Sequence, residues 1–254
     1  MALVRRCTHD VSRAVIHAEL QRVLLTGASR GLGAALARTL GERGYRGFLA
    51  ARNEQELRTR ADAIERDLKA SFGWLAVDLR TAADCRALVA AAQTHLGAVD
   101  VLINNAGIGW YRPFIDWSES EISDSLALNL AAPMLLAHAV LPGMLARGRG
   151  YIVNVASDLA RRPLANMAPY VASKFGLLGF GASLHREVRE RGVRVTTVMP
   201  GIIDSAFNGA QEGTKDQRWA LPTKELAARI VDLLELPYNV AVDELTIHPA
   251  CGDY

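Results

Sequence analysis

Thr26-Gly27-Ala28-Ser29-Arg30-Gly31-Leu32-Gly33 lies between a short apolar run, Val23-Leu24-Leu25, and a longer amphipathic one. Glycines at that spacing mark a strand turning sharply into a helix. Gly27 allows the tight turn, Gly31 lets backbone approach a pyrophosphate, and Gly33 lets the helix sit close on the strand. The helix N-terminus then offers unpaired N–H groups to phosphate, with Ser29, Arg30 and Leu32 completing the turn. The order is Gly-x-x-x-Gly-x-Gly, not the commoner Gly-x-Gly-x-x-Gly, so an ordinary glycine-rich turn is the competing reading.

Outward from this turn, short apolar runs alternate with amphipathic ones. Strands are predicted at 23–26, 47–51, 74–77, 99–103, 151–156, 194–199 and 244–247, with helices near 32–43, 54–71, 81–96, 118–146, 169–191 and 223–235. Strands apolar throughout and separated by helices imply a parallel sheet covered on both faces. The expectation is a single-domain α/β fold over residues 21–254, a Rossmann-type doubly wound parallel sheet of about seven strands. No Pro/Gly/Ser-rich linker divides it. Residues 1–20 read as an N-terminal extension: Arg5, Arg6 and Arg13 are followed by no continuous apolar stretch, and Asp10 and Glu19 count against an organelle-targeting segment.

Composition narrows the function classes. Of 254 residues, 29 are Lys or Arg and 27 Asp or Glu. Four of the arginines and two of the acids fall in residues 1–22, leaving a body balanced at 25 to 25. A neutral body gives no electrostatic footprint for nucleic acid or an anionic membrane. No apolar run in the sequence approaches the roughly 20 residues that span a bilayer. Cys7, Cys85 and Cys251 are scattered, which suggests reduced thiols in a cytoplasmic protein, not a disulfide framework. The six histidines show no ligand spacing, so no metal is expected.

The second strand indicates which dinucleotide is bound. An NAD site places a carboxylate at that strand's end, against the ribose 2′-OH. Here the strand ends Ala51-Arg52-Asn53, with no acid before Glu54. Arg52, with Arg30 from the glycine turn, instead suits a 2′-phosphate, because guanidinium donors form a planar fork. NADP is therefore the expected cofactor. Val77-Asp78-Leu79 and Asn104-Asn105-Ala106-Gly107 end the third and fourth strands, where such sheets bind ligand. A helix cap and a plain turn are their competing readings.

Tyr170-Val171-Ala172-Ser173-Lys174 puts Tyr170 and Lys174 four residues apart on one helix face, and Ser157 ends the fifth strand 13 residues before Tyr170. An ammonium beside a phenol favours phenolate, so Lys174 is expected to lower the Tyr170 pKa toward the range useful for proton transfer. Ser157 could hydrogen-bond a substrate oxygen. Taken alone, a Tyr and a Lys at this spacing are more often a surface pair.

Together these elements resemble the short-chain dehydrogenase/reductase family over about residues 23–247: the TGASRGLG turn, Asp78, the NNAG run at 104–107, Asn129, Ser157, the YVASK run at 170–174 and Pro200-Gly201. The resemblance implies an NADP-preferring carbonyl reductase acting on a small carbonyl or hydroxy substrate. It makes Tyr170 the general acid/base, with Lys174 tuning it and binding ribose. It gives Ser157 the carbonyl, and Asn129 a water in a proton relay to Lys174. Pro200, Gly201, Ile203 and Ser205 would border the nicotinamide; Ser205 stands where the family more often has Thr. It also implies a homodimer or homotetramer built on the two long helices.

Three loops, 108–114, 158–167 and 202–219, are expected to shape the substrate end. They contribute Trp110, Tyr111 and Phe114 as aromatic walls and Arg112, Arg161 and Arg162 as a basic rim, unless these arginines are simply solvated. The stretch after Ser205 reads as a flap or as a plain surface loop. The ending Val242-Asp243-Glu244-Leu245-Thr246-Ile247-His248-Pro249 lacks the Asp-Gly-Gly run of many acyl-carrier-protein reductases. It resembles family members acting on small aldehydes, hydroxy acids or specialised metabolites. Two alternatives stay open: a physiological dehydrogenase of a hydroxy compound, and a non-catalytic nucleotide sensor that kept the fold.

Overall fold

The computed structural model describes residues 20–251. The expected N-terminal extension lies outside the described residues except for Leu20, and Cys7 lies outside them too. The elements run β1 (Arg22–Thr26), α1 (Gly31–Glu42), β2 (Arg46–Ala51), α2 (Glu54–Leu68), β3 (Phe72–Ala76), α3 (Ala82–Leu96) and β4 (Val101–Asn104). They continue with α4 (Glu119–Leu126), α5 (Ala132–Arg147), β5 (Gly150–Val155), α6 (Ala168–Val188), β6 (Val193–Pro200), β7 (Ile203–Asp204), β8 (Leu221–Pro222), α7 (Thr223–Leu234) and β9 (Glu244–Ile247).

Seven strands form one sheet in the order β3-β2-β1-β4-β5-β6-β9, and every neighbouring pair is parallel. The chain builds outward from β1 to β3, then crosses back to lay β4 on the other side of β1. That reversal opens a crevice at the carboxyl ends of β1 and β4, where doubly wound sheets bind ligands. Strand alternation divides the core. Val23 and Leu25 face one layer with Leu36, Leu57 and Ile230; Leu24 faces the other with Leu88, Leu136 and Leu184. Both layers are apolar, which is why the strands carry no polar alternation. At the opposite end of β1, buried Asp100 receives Arg22 through two 2.7 Å bonds and ties the strand starts together.

Several expected boundaries move, by up to three residues. β3 begins at Phe72, not residue 74, because Gly47 of β2 pairs with Phe72, while Val77 still donates to Ala51 O at 2.8 Å. The long helix expected over 118–146 is interrupted by a π turn at Ala127–Ala131. A two-stranded ribbon, β7 with β8, was not expected.

Within the 29-residue helical stretch Glu119–Arg147, an 18-residue window has a mean hydropathy of 1.5, long and apolar enough by composition to cross a bilayer. Its residues Leu136, Ala137, Val140 and Met144 are buried in the core against α3 and β5.

Candidate active site

The helices differ in how they begin. Asn53 caps α2 by accepting from Glu56 N, Thr81 caps α3 by accepting from Asp84 N, and Ser118 with Glu121 forms a capping box on α4. α1 starts at Arg30 with no side-chain cap and no acid in its first turn. Its N-terminal N–H groups and positive dipole end are thus left to face the crevice.

Glycine is demanded here by contact. A Cβ on Gly33 would lie 1.9 Å from Gly27 O, and one on Gly27, where φ is +68°, 2.8 Å from Ala106 Cα. Thr26, which sequence reasoning passed over, locks the turn to the NNAG run. Its Oγ1 accepts from Asn105 N at 3.0 Å and Ala106 N at 3.1 Å, while Asn105 Nδ2 donates to Thr26 O at 3.0 Å and Gly27 O at 3.2 Å. The run at 104–107 is therefore a structural brace as well as a wall of the cavity.

The cavity holds about 1020 Å³ and runs from Arg52 and Asp78 at one end to Leu164 and Phe207 at the other. It is lined by every residue the sequence singled out for cofactor or chemistry except Asn129. Asp78 caps no helix; it is held by Arg80 at 2.6 Å, which with Arg52 nearby keeps its carboxyl below the usual range. Asn129 sits in the π turn behind the cavity. Its Oδ1 accepts from Ile108 N at 2.8 Å, and its Nδ2 donates to Ile108 O at 2.7 Å and Ser173 Oγ at 3.1 Å. The amide of Asn129 thus braces the loop after β4.

Ser157 and Tyr170 are both buried and line the same cavity. Ser157 Oγ accepts from Leu159 N and donates to Asp158 Oδ1, each at 3.2 Å. Lys174 Nζ donates to Val155 O at 2.9 Å and stands 5.5 Å from the Tyr170 ring centre. Burial decides both pKa values. It pushes the Tyr170 phenol up to about 12, with the nearby Ser157 hydroxyl opposing, and the Lys174 ammonium down to about 8. The expected lowering of Tyr170 by Lys174 is absent, because desolvation of the phenolate dominates at this separation.

Gly109 was also missed, having no signal beyond being a glycine after the NNAG run. A Cβ there would meet Tyr170 Cδ2 at 2.5 Å. Gly109→Ala is therefore expected to displace the phenol and lower kcat about tenfold or more, since small misplacements of a reacting group are costly. Cofactor affinity should hold. Steady-state kinetics beside a binding titration separates the two.

The expected aromatic and basic rim is not assembled. Arg112 ion-pairs with Glu121 and lies over the rings of Trp110 and Trp117 at 5.6 and 5.1 Å. Arg161 pairs with Glu244. Neither arginine lines the cavity, nor do Trp110, Tyr111 and Phe114. Arg162 does, matched by Asp158 at 2.9 Å. Around this compensated pair the substrate end is mainly aliphatic, with Leu159, Leu164, Met167 and Ile202. Among the described residues no cluster of His, Cys, Asp or Glu could hold a metal.

A doubly wound sheet with an uncapped glycine turn, and a serine, tyrosine and lysine gathered in the same crevice, defines a class of nucleotide-dependent oxidoreductases. The chain belongs to the short chain dehydrogenase family, whose pattern matches residues 21–216. It is 36% identical over 218 residues to a 3-oxoacyl-(acyl-carrier-protein) reductase of Vibrio cholerae, covering 86% of this chain and 87% of that one. Among solved structures, a metagenomic short-chain oxidoreductase in complex with NADP is 33% identical with a TM-score of 0.80, covering 91% of this chain and 98% of that one. An alcohol dehydrogenase of the archaeon Thermococcus sibiricus, complexed with 5-hydroxy-NADP, is 27% identical with a TM-score of 0.86 at the same coverages, 91% and 98%.

Proposed function

We propose that this chain is an NADP(H)-dependent carbonyl reductase using Tyr170 as general acid/base, with residues from 21 onward acting as one catalytic domain. One observation carries the reading: a single cavity joins Arg30 and Arg52 beside the glycine turn to Ser157, Tyr170 and Lys174. The site suits the cofactor on its own terms. The glycine turn leaves backbone where side chains would clash, and no acid stands at the end of β2, although Glu56 lines the cavity one turn further on. The NADP-bound relatives support the same choice.

Once bound, the nicotinamide supplies or accepts the hydride. Arg30 and Arg52 would hold the 2′-phosphate, the open end of α1 the diphosphate, and Lys174 the nicotinamide ribose. Pro200, Gly201, Ile203 and Ser205 would border the nicotinamide. Ser157 orients the carbonyl oxygen, and Tyr170 gives it a proton. Asn129 keeps the Ile108 loop against the reacting groups.

Burial of Tyr170 sets the pH dependence. A phenol raised to about 12 keeps its proton through the neutral range, which suits donation during reduction. Oxidation of the alcohol needs phenolate, so its rate should climb with pH, up to about tenfold per unit below that pKa. Reduction should hold to about pH 8 and decline above it, as Lys174 loses its charge. Rates in both directions from pH 6 to 10 check this; parallel profiles would remove the assignment.

The test of the whole reading is cofactor consumption against a carbonyl panel, with NADPH and NADH side by side. The aliphatic substrate end and the matched Asp158–Arg162 pair favour neutral, largely apolar ketones and aldehydes over free acids. The Vibrio cholerae relative makes 3-oxoacyl thioesters part of the panel. Turnover preferring NADPH supports the reading. Tight NADPH binding without turnover on any compound would favour a nucleotide sensor. Exposed Met134 and Phe175, on α5 and α6, support a homodimer or homotetramer, and the free thiols of Cys85 and Cys251 support a reducing cytoplasmic setting.

A further inference from the structure

The substrate end of the cavity is aliphatic, yet it contains the carboxylate of Asp158, whose side chain is only 13% exposed. An acid in such surroundings needs hydrogen-bond donors. Its two oxygens are supplied unequally. Oδ2 accepts from Arg162 at 2.9 Å and stands 3.6 Å from Nε2 of His248, on the segment after β9. Among the described residues, Oδ1 accepts only from the Ser157 hydroxyl, at 3.2 Å. A carboxylate oxygen can accept about two hydrogen bonds, so Oδ1 has room for another donor.

Ser157 makes that room consequential. The serine has a single hydroxyl proton, and here it is given to Asp158. To hold a substrate carbonyl, Ser157 must turn that proton away from Asp158 and strip Oδ1 of its donor. A plain ketone leaves the acid short in a nearly buried place. A ketone that brings its own hydroxyl replaces what Ser157 withdrew, and a site built around such a bond rejects the analogue that lacks it.

Distance limits where the hydroxyl can stand. An oxygen held by Ser157 lies no more than about 6 Å from Asp158 Oδ1, one further hydrogen-bond length. A hydroxyl on the carbon next to the carbonyl, or on the one beyond, spans that gap with its own hydrogen bond. Asp158 is also electrically close to the reacting group, since its charge adds to the burial that pushes the Tyr170 phenol up. An ammonium would share the cavity with Arg162 and Lys174, so a neutral donor fits better than a cationic one.

We propose that Asp158 selects substrates carrying a hydroxyl within two carbons of the carbonyl, so that the chain reduces aliphatic hydroxy ketones and hydroxy aldehydes to diols. This rests on the carbonyl-reductase reading above. NADPH gives a hydride to the carbonyl carbon, and Tyr170 gives a proton to its oxygen and recovers one from solvent. The neighbouring hydroxyl is unchanged. Leu159, Leu164 and Met167 are left for the alkyl remainder.

The experiment measures kcat/KM with NADPH for three ketones of one chain length: hydroxymethyl, methoxymethyl and methyl hexyl ketone. The ether draws electrons from the carbonyl much as the alcohol does but has no proton to donate. Wild type should favour the hydroxymethyl ketone over both others by about tenfold or more. In Asp158→Ala that ratio should fall to near one. In Asp158→Asn, which keeps an acceptor oxygen without the charge, it should fall severalfold, and this nearly isosteric variant decides the matter if the alanine protein does not fold. Because each ratio is taken within one protein, a general loss of activity cancels. Equal efficiency of wild type on the hydroxymethyl and methoxymethyl ketones overturns the proposal, as does a preference that survives unchanged in the variants. Wild type that reduces other carbonyl compounds but none of these three also overturns the proposal and leaves the carbonyl-reductase reading standing. No turnover of any carbonyl compound would overturn both.

Discussion

Replacing Tyr170 with Phe is expected to lower kcat by about 10²–10⁴-fold, the contribution of a positioned general acid, while NADPH affinity stays close to that of wild type. The substitution removes one hydroxyl and keeps the ring that packs near Gly109 and Phe207, so the cavity keeps its shape. It leaves Ser157 its contacts with Asp158 and Leu159. Single-turnover kinetics beside a fluorescence titration would separate chemistry from binding. A variant that keeps most of its turnover would remove Tyr170 from the mechanism.

Arg52→Asp should produce the second large effect, an exchange of cofactor preference. Charge-assisted hydrogen bonds contribute about 1.5–3 kcal/mol, so losing those to a 2′-phosphate lowers kcat/KM for NADPH by about 10–100-fold, and the introduced carboxylate adds repulsion. That carboxylate would stand where an NAD site accepts from the ribose 2′-OH, so kcat/KM for NADH should rise. Asp78 complicates the outcome slightly, since Arg52 helps to hold its carboxyl below the usual range. Unaltered preference would mean that Arg52 is a solvated side chain and that the 2′-phosphate, if recognised, is met elsewhere.

The fold was legible because the physics that builds it is local. Strands buried on both faces read as unbroken apolar runs, and three glycines mark a turn where Gly27 and Gly33 leave room for backbone. The π turn was not legible: Ala127-Leu128-Asn129-Leu130-Ala131 has the composition of ordinary helix, and nothing local signals the extra residue. The candidate residues were named by spacing and order, and all but Asn129 line one cavity. Their energetics were not legible. Tyr170 and Lys174 are four apart in sequence, yet what controls both is desolvation by the surrounding fold. The expected basic rim failed for a related reason, since Arg161 finds its acid, Glu244, 83 residues away. A pattern of single residues does not reveal which charges are already matched.

The lock between Thr26 and Asn105 spans 79 residues. At about 5–20 residues per second of synthesis, the glycine turn leaves the ribosome roughly 4–16 seconds before its brace exists. During that interval β1 can pair with β2, and β2 with β3, but the strand that closes the crevice has not been made. A chain halted near residue 100 would hold half of a nucleotide cradle and none of the reacting groups. The nascent enzyme therefore acquires its cofactor late, after the sheet has turned back on itself, and dinucleotide present in the cell would not assist the early stages of folding.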